Sequence, residues 1–425
     1  MPVFGKKILF LALLIAVLHS CKSSYITNNI TKKIETPFYD NQFTGLLVYN
    51  PKTNDTVVKY HADKYFIPAS NTKIFTLYTA LNTLPNRIPS FKYTIKADTI
   101  TIQGTGDPTF LHPFFNDSTA LKMARNYKKV NLVWGNLEDD KFGPGWAWED
   151  YDTYFSPERS SFPMYGNVVT INGKDSLQST PKALKQNIQY SETSKRRNYN
   201  DNIFFYNLKK RRDTIEIPMV IDTFLIEKLW QSILPGKISI SNYAEKKMEY
   251  VAYSVPSDSL YKRMMEISDN FLAEQMLILC SSVFSDTLSS SKMRERILEN
   301  ELKDLKHPPR WVDGSGLSRY NLFTPTSFVQ VLTKLYNEIP QERLFNLFPV
   351  GGKSGTLKKY YSGNEKPYIY AKSGTVGNNY SLSGYLITNS GKMLIFSFMN
   401  NHYTNPTGEV KKHMQSVLEW LRDNY

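Results

Sequence analysis

Phe66-Ile67-Pro68-Ala69-Ser70-Asn71-Thr72-Lys73 runs directly into Ile74-Phe75-Thr76-Leu77-Tyr78-Thr79-Ala80-Leu81. Ile74, Phe75, Leu77, Tyr78, Leu81 and Leu84 recur at helical spacing until Pro85, which predicts a buried helix opened by Ser70. Lys73 stands one turn on, on the same face as Ser70. A lysine so placed takes the hydroxyl proton when its own pKa is lowered, for instance by a second cation. N–H groups at a helix N-terminus suit a developing oxyanion. Ser-x-x-Lys recurs at Ser179/Lys182, Ser259/Lys262 and Ser289/Lys292. The first lies in a Pro-containing polar loop, the second in the solvated first turns of a helix, the third in a serine-rich loop. Only Ser70 begins a strongly apolar helix.

Working outward, Gly45-Leu46-Leu47-Val48-Tyr49 and Thr56-Val57-Val58-Lys59-Tyr60 read as strands around the turn Asn50-Pro51-Lys52-Thr53. From Phe91 to about Tyr243, short strands are broken by Gly, Pro, Asn and Asp, with little sustained helix. Helical spacing returns from Ser257 through Leu260, Met264 and Ile267, and again from Phe271 to Phe284. Strands are expected near 381–388 and 392–399, then an amphipathic helix over about 408–423 carrying Met414, Val417, Leu418 and Leu421. The pattern describes one mixed α+β domain, 37–90 with 250–425, interrupted by a β-rich insert over 91–249. The first and last parts would complete the same sheet.

The chain's first residues differ from the rest. Lys6 and Lys7 precede the apolar run Ile8–Leu18, then His19, Ser20 and Cys21. The run is too short for a bilayer, which takes about 20 residues, but suits a secretory signal over 1–20. Leu18-His19-Ser20-Cys21 resembles a bacterial lipoprotein cleavage site, with Cys21 as the lipidated residue that tethers the chain to a membrane. Plain secretion with cleavage near Ser20 is the alternative. The polar stretch 21–36 reads as a tether. Cys280, within Met276-Leu277-Ile278-Leu279, is then a small buried apolar residue.

Composition is ordinarily globular over 425 residues, 41% hydrophobic and 21% charged. The six histidines, at 19, 61, 112, 307, 402 and 413, form no metal-binding pair, so neither a metal nor another cofactor is expected. No Gly-x-Ser-x-Gly elbow is present. The net charge is +13, with basic clusters at Lys195-Arg196-Arg197 and Lys209-Lys210-Arg211-Arg212. They flank Ile203–Leu208 and read as the solvated turns of a hairpin. For an exported chain, anionic envelope polymers or lipid headgroups fit this charge, and nucleic acid does not.

Two more clusters bear chemistry. Ser268-Asp269-Asn270 falls between two helices. Its hydroxyl and amide, two residues apart, are placed to relay a proton to a leaving amine and to hold a substrate amide. Asp269 or Asn270 also suits an N-cap for the helix that begins at Phe271. Lys372-Ser373-Gly374-Thr375 follows the strand Tyr368-Ile369-Tyr370-Ala371. A lysine and hydroxyls on a strand edge grip a carboxylate. Gly374 permits close backbone approach, and the Thr375 N–H is placed to complete an oxyanion hole with that of Ser70. A second copy, Lys353-Ser354-Gly355-Thr356, follows Gly351-Gly352 with no clear strand. Strand context favours Lys372 over Lys353.

Ser-x-x-Lys, Ser-Asp-Asn and Lys-[Ser/Thr]-Gly in this order mark penicillin-binding proteins and class A β-lactamases. Gly104-Thr105-Gly106-Asp107-Pro108, Gly143 through Trp148, Ser268 through Gln275, Asp313 through Ser318 and Ala371 through Tyr385 extend the match. Together they resemble the class C low-molecular-weight penicillin-binding proteins, the D-alanyl-D-alanine carboxypeptidase/endopeptidase family. The stretch from Ser70 to Ser268 is about twice that from Ser268 to Lys372, whereas class A β-lactamases lack the intervening insert. Ser373 stands where threonine is more usual.

The resemblance implies a mainly antiparallel five-stranded sheet flanked by helices, as in penicillin-binding and β-lactamase-like transpeptidase domains. It implies peptidoglycan stem peptides as substrate, an acyl-enzyme on Ser70, and β-lactams as covalent inhibitors. Lys73 would be the base, Ser268 and Asn270 would serve the leaving group and substrate amide, and Lys372 would bind carboxylate. The setting would be the periplasmic face of the cell envelope. A β-lactamase, or a wall lipoprotein that binds penicillin without turnover, are the alternatives. The acidic run Glu138-Asp139-Asp140 is offered as a partner for a free amine on the stem peptide.

Overall fold

The computed structural model describes residues 24–117, 119–173, 177–207, 209, 214–244 and 247–425. The signal segment and Cys21 lie outside the described residues. The chain forms two compact units. The first takes residues up to Ile74, Leu305–Arg310 and Leu322–Tyr425, and the second takes Phe75–Asp304 and Trp311–Asn321. The segment 91–249 falls wholly within the second, which also takes in the helices up to Asp304.

Five strands build the first unit: β1 (Phe43–Asn50), β2 (Asp55–Tyr60), β13 (Ile369–Val376), β14 (Asn379–Ile387) and β15 (Met393–Asn401). They pair antiparallel in the order β13-β14-β15-β1-β2. The N-terminal hairpin and the C-terminal strands thus share one sheet, with Leu46 opposite both Phe398 and Tyr60. Side chains alternate between faces. Leu46 and Val48 pack into a core with helix α10 (Thr407–Asn424), whose Val410, Met414, Val417, Leu418 and Leu421 are all buried. On the opposite face Gly45 leaves no room for a side chain, because a methyl group there would lie 2.6 Å from the Phe66 ring and 3.1 Å from Pro325. Pro325 opens helix α8 (Pro325–Glu338), capped reciprocally by Thr324 and Ser327. Helix α9 (Gln341–Leu347) follows it.

The tether expected over 21–36 is folded from residue 24 onward. Residues 24–34 form helix α1, and Ile26, Ile30 and Ile34 are fully buried against the sheet and α10. Isoleucines four apart share a helix face. Burying three of them contributes roughly 5–9 kcal/mol of gross apolar transfer energy. Three apolar positions in a polar stretch suffice for docking, because α10 and the sheet supply the other wall.

In the second unit, β3 (Arg87–Lys96), β4 (Thr99–Gly104), β5 (Lys129–Val133), β11 (Lys237–Ser241) and β12 (Tyr250–Pro256) form a mixed sheet, β11-β5-β4-β3-β12. A smaller sheet, β10-β6-β7, joins β10 (Thr214–Pro218), β6 (Val168–Asn172) and β7 (Gln178–Thr180). The segment is β-rich but not helix-poor throughout. Besides the short helix α3 (Thr119–Ala124), helix α4 (Thr223–Ile233) begins where the Asp222 carboxylate accepts from Leu225 N at 2.7 Å. It buries Leu225, Ile226, Leu229 and Trp230. At the expected hairpin, Asn198 N donates to Ile203 O at 3.0 Å and Phe205 N to Arg196 O at 2.7 Å around an antiparallel bridge between Arg197 and Phe204. In addition β9 (Phe204–Tyr206) pairs parallel with β8 (Ile188–Tyr190). Arg197 is not a solvated turn residue. Its guanidinium is buried over the Tyr151 ring and donates to the carbonyls of Pro218, Asn198 and Tyr199 at 2.8, 2.5 and 2.9 Å. Carbonyl oxygens thus satisfy a charge that burial alone would penalise.

The helices of the second unit are α2 (Lys73–Thr83), which starts at the boundary between units, α5 (Ser257–Ile267), α6 (Asn270–Ser281) and α7 (Ser290–Glu299). In α6 every residue from Phe271 to Ser281 is buried, Cys280 among them, and burial pushes the Cys280 thiol far above the ordinary range. Among the described residues no helix is long and apolar enough to cross a membrane.

Candidate active site

Ala69–Thr72 form a 3-10 turn with Ser70 as its second residue, and the turn passes into α2 at Lys73, so α-helical geometry begins three residues after Ser70. A 3-10 turn repeats every three residues and eclipses positions i and i+3. Lys73 therefore stands over Ser70, and its buried Nζ lies 3.0 Å from Ser70 Oγ. Ala69 sits at φ +47°, a left-handed conformation that costs an L-residue roughly 1–2 kcal/mol. Its neighbours impose it. The Asn401 side chain binds both Ile67 N and Ile67 O, at 2.6 and 3.1 Å. Phe66 and Phe323 exchange backbone hydrogen bonds at 2.8 and 3.0 Å. Below the turn, Asn71 Nδ2 donates to Ser383 Oγ at 2.7 Å, and Ser383 donates on to Ser397 at 2.8 Å. Asn71, Ser383 and Asn401 were missed from sequence. Only the polar interruption of apolar strands at 383, 397 and 401 signalled them.

The strand β13 lies against this turn. A methyl group at Gly374 would be 2.7 Å from Pro68 O, 2.7 Å from Ser70 N and 2.8 Å from Asn71 N. Lys372 is fully buried, and its Nζ donates to Ser373 O at 2.6 Å. Burial first, then repulsion by the Lys73 charge, drives the Lys372 ammonium well below the usual lysine range.

Backbone parity assigns the strand edge. In an antiparallel pair each residue turns its N–H and C=O to the same side, alternating along the strand. Gly351 N donates to Ile369 O and Ala371 N donates to Pro349 O, at 2.9 and 3.0 Å, so positions 369 and 371 face outward from the sheet. The register with β14 is unbroken to Val376. Ser373 and Thr375 therefore face outward too, and the Thr375 N–H is open at the edge beside the Ser70 turn. The structure thus brings Ser70, Lys73, Lys372, Ser373, Gly374 and Thr375 together within the first unit. Lys353, by contrast, is exposed in a turned segment, and Gly355–Leu357 form a short 3-10 helix.

Ser268 and Asn270 belong to the second unit. Ser268 ends α5 in the left-handed conformation, φ +62°. Asp269 caps α6, its carboxylate accepting from Leu272 N at 3.0 Å. Asn270 Nδ2 donates to Phe155 O at 3.0 Å. Of the other Ser-x-x-Lys pairs, Ser259 and Lys262 are exposed on α5, and Lys292 pairs with Glu138 at 2.7 Å. Ser179 donates to Pro181 O at 3.2 Å.

Two of the three carboxylates offered for a substrate amine have partners within the protein, and the third, Asp140, is exposed. Glu138 holds Lys292, while Asp139 caps α7 through Ser290 N at 3.0 Å and pairs with buried Arg159 at 3.4 Å. Arg159 also lies 3.7 Å from Glu274, one turn beyond Asn270. Burial first, then Asp313, pushes the Glu274 carboxyl up to about 7 against the pull of Arg159. Asp313 is itself held by Gly316 N, Ser318 N, Asn321 Nδ2 and Trp146 Nε1, at 2.6 to 2.9 Å. A lone glutamate inside Phe271-Leu272-Ala273-Glu274-Gln275-Met276 was the available sign of this buried charge.

Residues 26–199 and 221–423 match the sequence profile of the D-Ala-D-Ala carboxypeptidase 3 (S13) family. The D-alanyl-D-alanine carboxypeptidase DacB of Haemophilus influenzae is 21% identical over 90% of this chain and 90% of its own length. The penicillin-sensitive carboxypeptidase A of Dictyostelium discoideum is 22% identical over 80% of this chain and 78% of its own. The crystal structure of penicillin binding protein 4 (dacB) from Haemophilus influenzae superposes with a TM-score of 0.70 at 18% identity, covering 93% of this chain and 98% of that one. The same protein has been solved complexed with a β-lactam.

Proposed function

The chain belongs to the D-Ala-D-Ala carboxypeptidase 3 (S13) family, and on that premise we propose how its residues carry the reaction. The protein is a serine-type D-alanyl-D-alanine carboxypeptidase/endopeptidase acting on peptidoglycan peptides in the cell envelope. In our reading Ser70 Oγ attacks the carbonyl of the penultimate D-Ala while its proton passes to Lys73 Nζ. The N–H groups of Ser70 and Thr375 hold the oxyanion. Collapse breaks the C–N bond, and the amine leaves with a proton relayed through Ser268. Water then adds to the acyl-enzyme, releases the shortened peptide and returns the proton to Ser70. Asn270 holds the substrate amide.

Lys372 and Ser373 grip the terminal carboxylate. The weakly held proton of Lys372 fits this task, because an arriving carboxylate stabilises the ammonium that burial disfavours. The observation that carries the reading is the 3.0 Å contact between Ser70 and Lys73 on a turn against which β13 leaves no space at Gly374. Labelled penicillin followed by peptide mapping tests it. The label is expected on Ser70; a labelled peptide centred on Ser179, Ser259 or Ser289 would overturn the assignment.

The membrane anchor is a separate proposal, supported by the apolar run before Cys21. Incorporation of labelled fatty acid, lost in Cys21→Ala, is the expected result. A soluble, unlabelled wild-type product would refute the anchor and leave the peptidase reading intact.

A further inference from the structure

The segment 349–361 carries the Lys353-Ser354-Gly355-Thr356 copy and takes no part in the chemistry above, yet it is built onto β13. Besides the two backbone bonds from Pro349 and Gly351, Val350 forms a bridge with Tyr370. Gly352, at φ +69°, turns the chain back and donates to Tyr360 O at 2.8 Å. Ser354 Oγ accepts from Val350 N at 3.1 Å, and Leu357 is fully buried in the core shared by the sheet, α1 and α10. Thr356 is thus an exposed residue on a turn held from both sides. Ser373 Oγ donates to its Oγ1 at 2.7 Å.

A hydroxyl has one proton to donate and two lone pairs to accept with. With no substrate bound, the Ser373 proton is engaged by Thr356. A carboxylate only accepts, so Ser373 must turn that proton toward it. The Ser373 oxygen is then open to accept from Thr356, whose own proton rotates freely. The pair reverses direction without moving a heavy atom. Serine lacks the methyl group that stiffens threonine at χ1, so a fixed partner matters more at position 373 than it would for threonine.

We propose that Thr356 is a positioning residue for the substrate's terminal carboxylate, holding Ser373 Oγ in place and donating to it while Ser373 donates to the carboxylate. The inference rests on the reading that Ser373 grips that carboxylate. It is tested with Thr356→Val, Thr356→Ser and Ser373→Ala on a D-Ala-D-Ala peptide and on the same peptide with a C-terminal carboxamide. Thr356→Val is expected to raise KM for the carboxylate peptide roughly three- to tenfold, the worth of one neutral hydrogen bond. Its kcat and Tm should stay near wild type. Thr356→Ser should behave as wild type, the carboxamide should not distinguish Thr356→Val from wild type, and Thr356→Val should add nothing in a Ser373→Ala background. Unchanged KM in Thr356→Val, with a loss in Ser373→Ala, overturns the inference alone. Equal losses on both peptides, or a matching fall in Tm, reduce Thr356 to a structural role and overturn it as well. No carboxylate-specific loss in Ser373→Ala overturns the reading beneath it.

Discussion

Lys353-Ser354-Gly355-Thr356 and Lys372-Ser373-Gly374-Thr375 are the same four residues in one chain, and they fold into unlike objects. The second copy is a strand whose lysine is buried and whose glycine touches the Ser70 turn. The first is a turn whose lysine is exposed and whose glycine sits at φ +54°. Flanking sequence makes the difference. Tyr368-Ile369-Tyr370-Ala371 carries the β-branched and aromatic residues that fit a pleated sheet, whereas Gly351-Gly352 supplies a turn. The motif has meaning only through the surface on which it is mounted.

The largest expected effect separates the two lysines. Lys372→Ala should lower acylation by labelled penicillin, and kcat/KM on peptides, about ten- to a hundredfold, the worth of a charge-assisted contact to carboxylate. Lys353→Ala should stay within about twofold. Equal losses, or the reverse order, break the comparison.

The glycines come next. Gly374→Ala places a methyl group against backbone atoms that cannot yield, so the Ser70 turn must shift and acylation should fall roughly tenfold or more. Gly355→Ala adds backbone strain at φ +54°, away from the Ser70 turn, and denaturation should register a loss of about 1 kcal/mol with little change in rate. A Gly374→Ala enzyme as fast as wild type would show that β13 does not set the position of Ser70.

The smallest effect sharpens the comparison through pH. Burial holds the Lys372 pKa below that of an unfolded lysine, 10.5. Between the folded and unfolded values the unfolded chain binds the extra proton, so stability falls as pH drops through that window. Lys372→Met should therefore raise Tm at neutral pH by a few degrees while lowering activity as Lys372→Ala does, and the gain should shrink as pH approaches 10.5. Lys353→Met, at an exposed position, should leave Tm at neutral pH unchanged.

Long periodic elements were legible in the sequence. The helix after Ser70, the paired strands at both ends of the chain and the amphipathic C-terminal helix each follow a repeat long enough to stand out. The better Lys-Ser-Gly-Thr copy was legible from the strand before it. What was not legible depended on partners distant in sequence. Ile26, Ile30 and Ile34 gain their meaning from α10, nearly four hundred positions away. Arg197 looked solvated because the Tyr151 ring it covers and the Pro218 carbonyl it binds lie outside its own stretch. Asn71, Ser383 and Asn401 are ordinary polar residues until the sheet lines them up beneath the serine. Glu138 and Asp139 looked available because Lys292 and Arg159 are invisible from their own stretch.

Helix α1 also determines reach. It is already formed at residue 24, three positions after Cys21, and three residues span at most about 10 Å even when fully extended. If Cys21 carries lipid, the folded peptidase has almost no leash. It would work on strands lying against its own membrane and would leave the outer layers of the wall to enzymes with longer tethers.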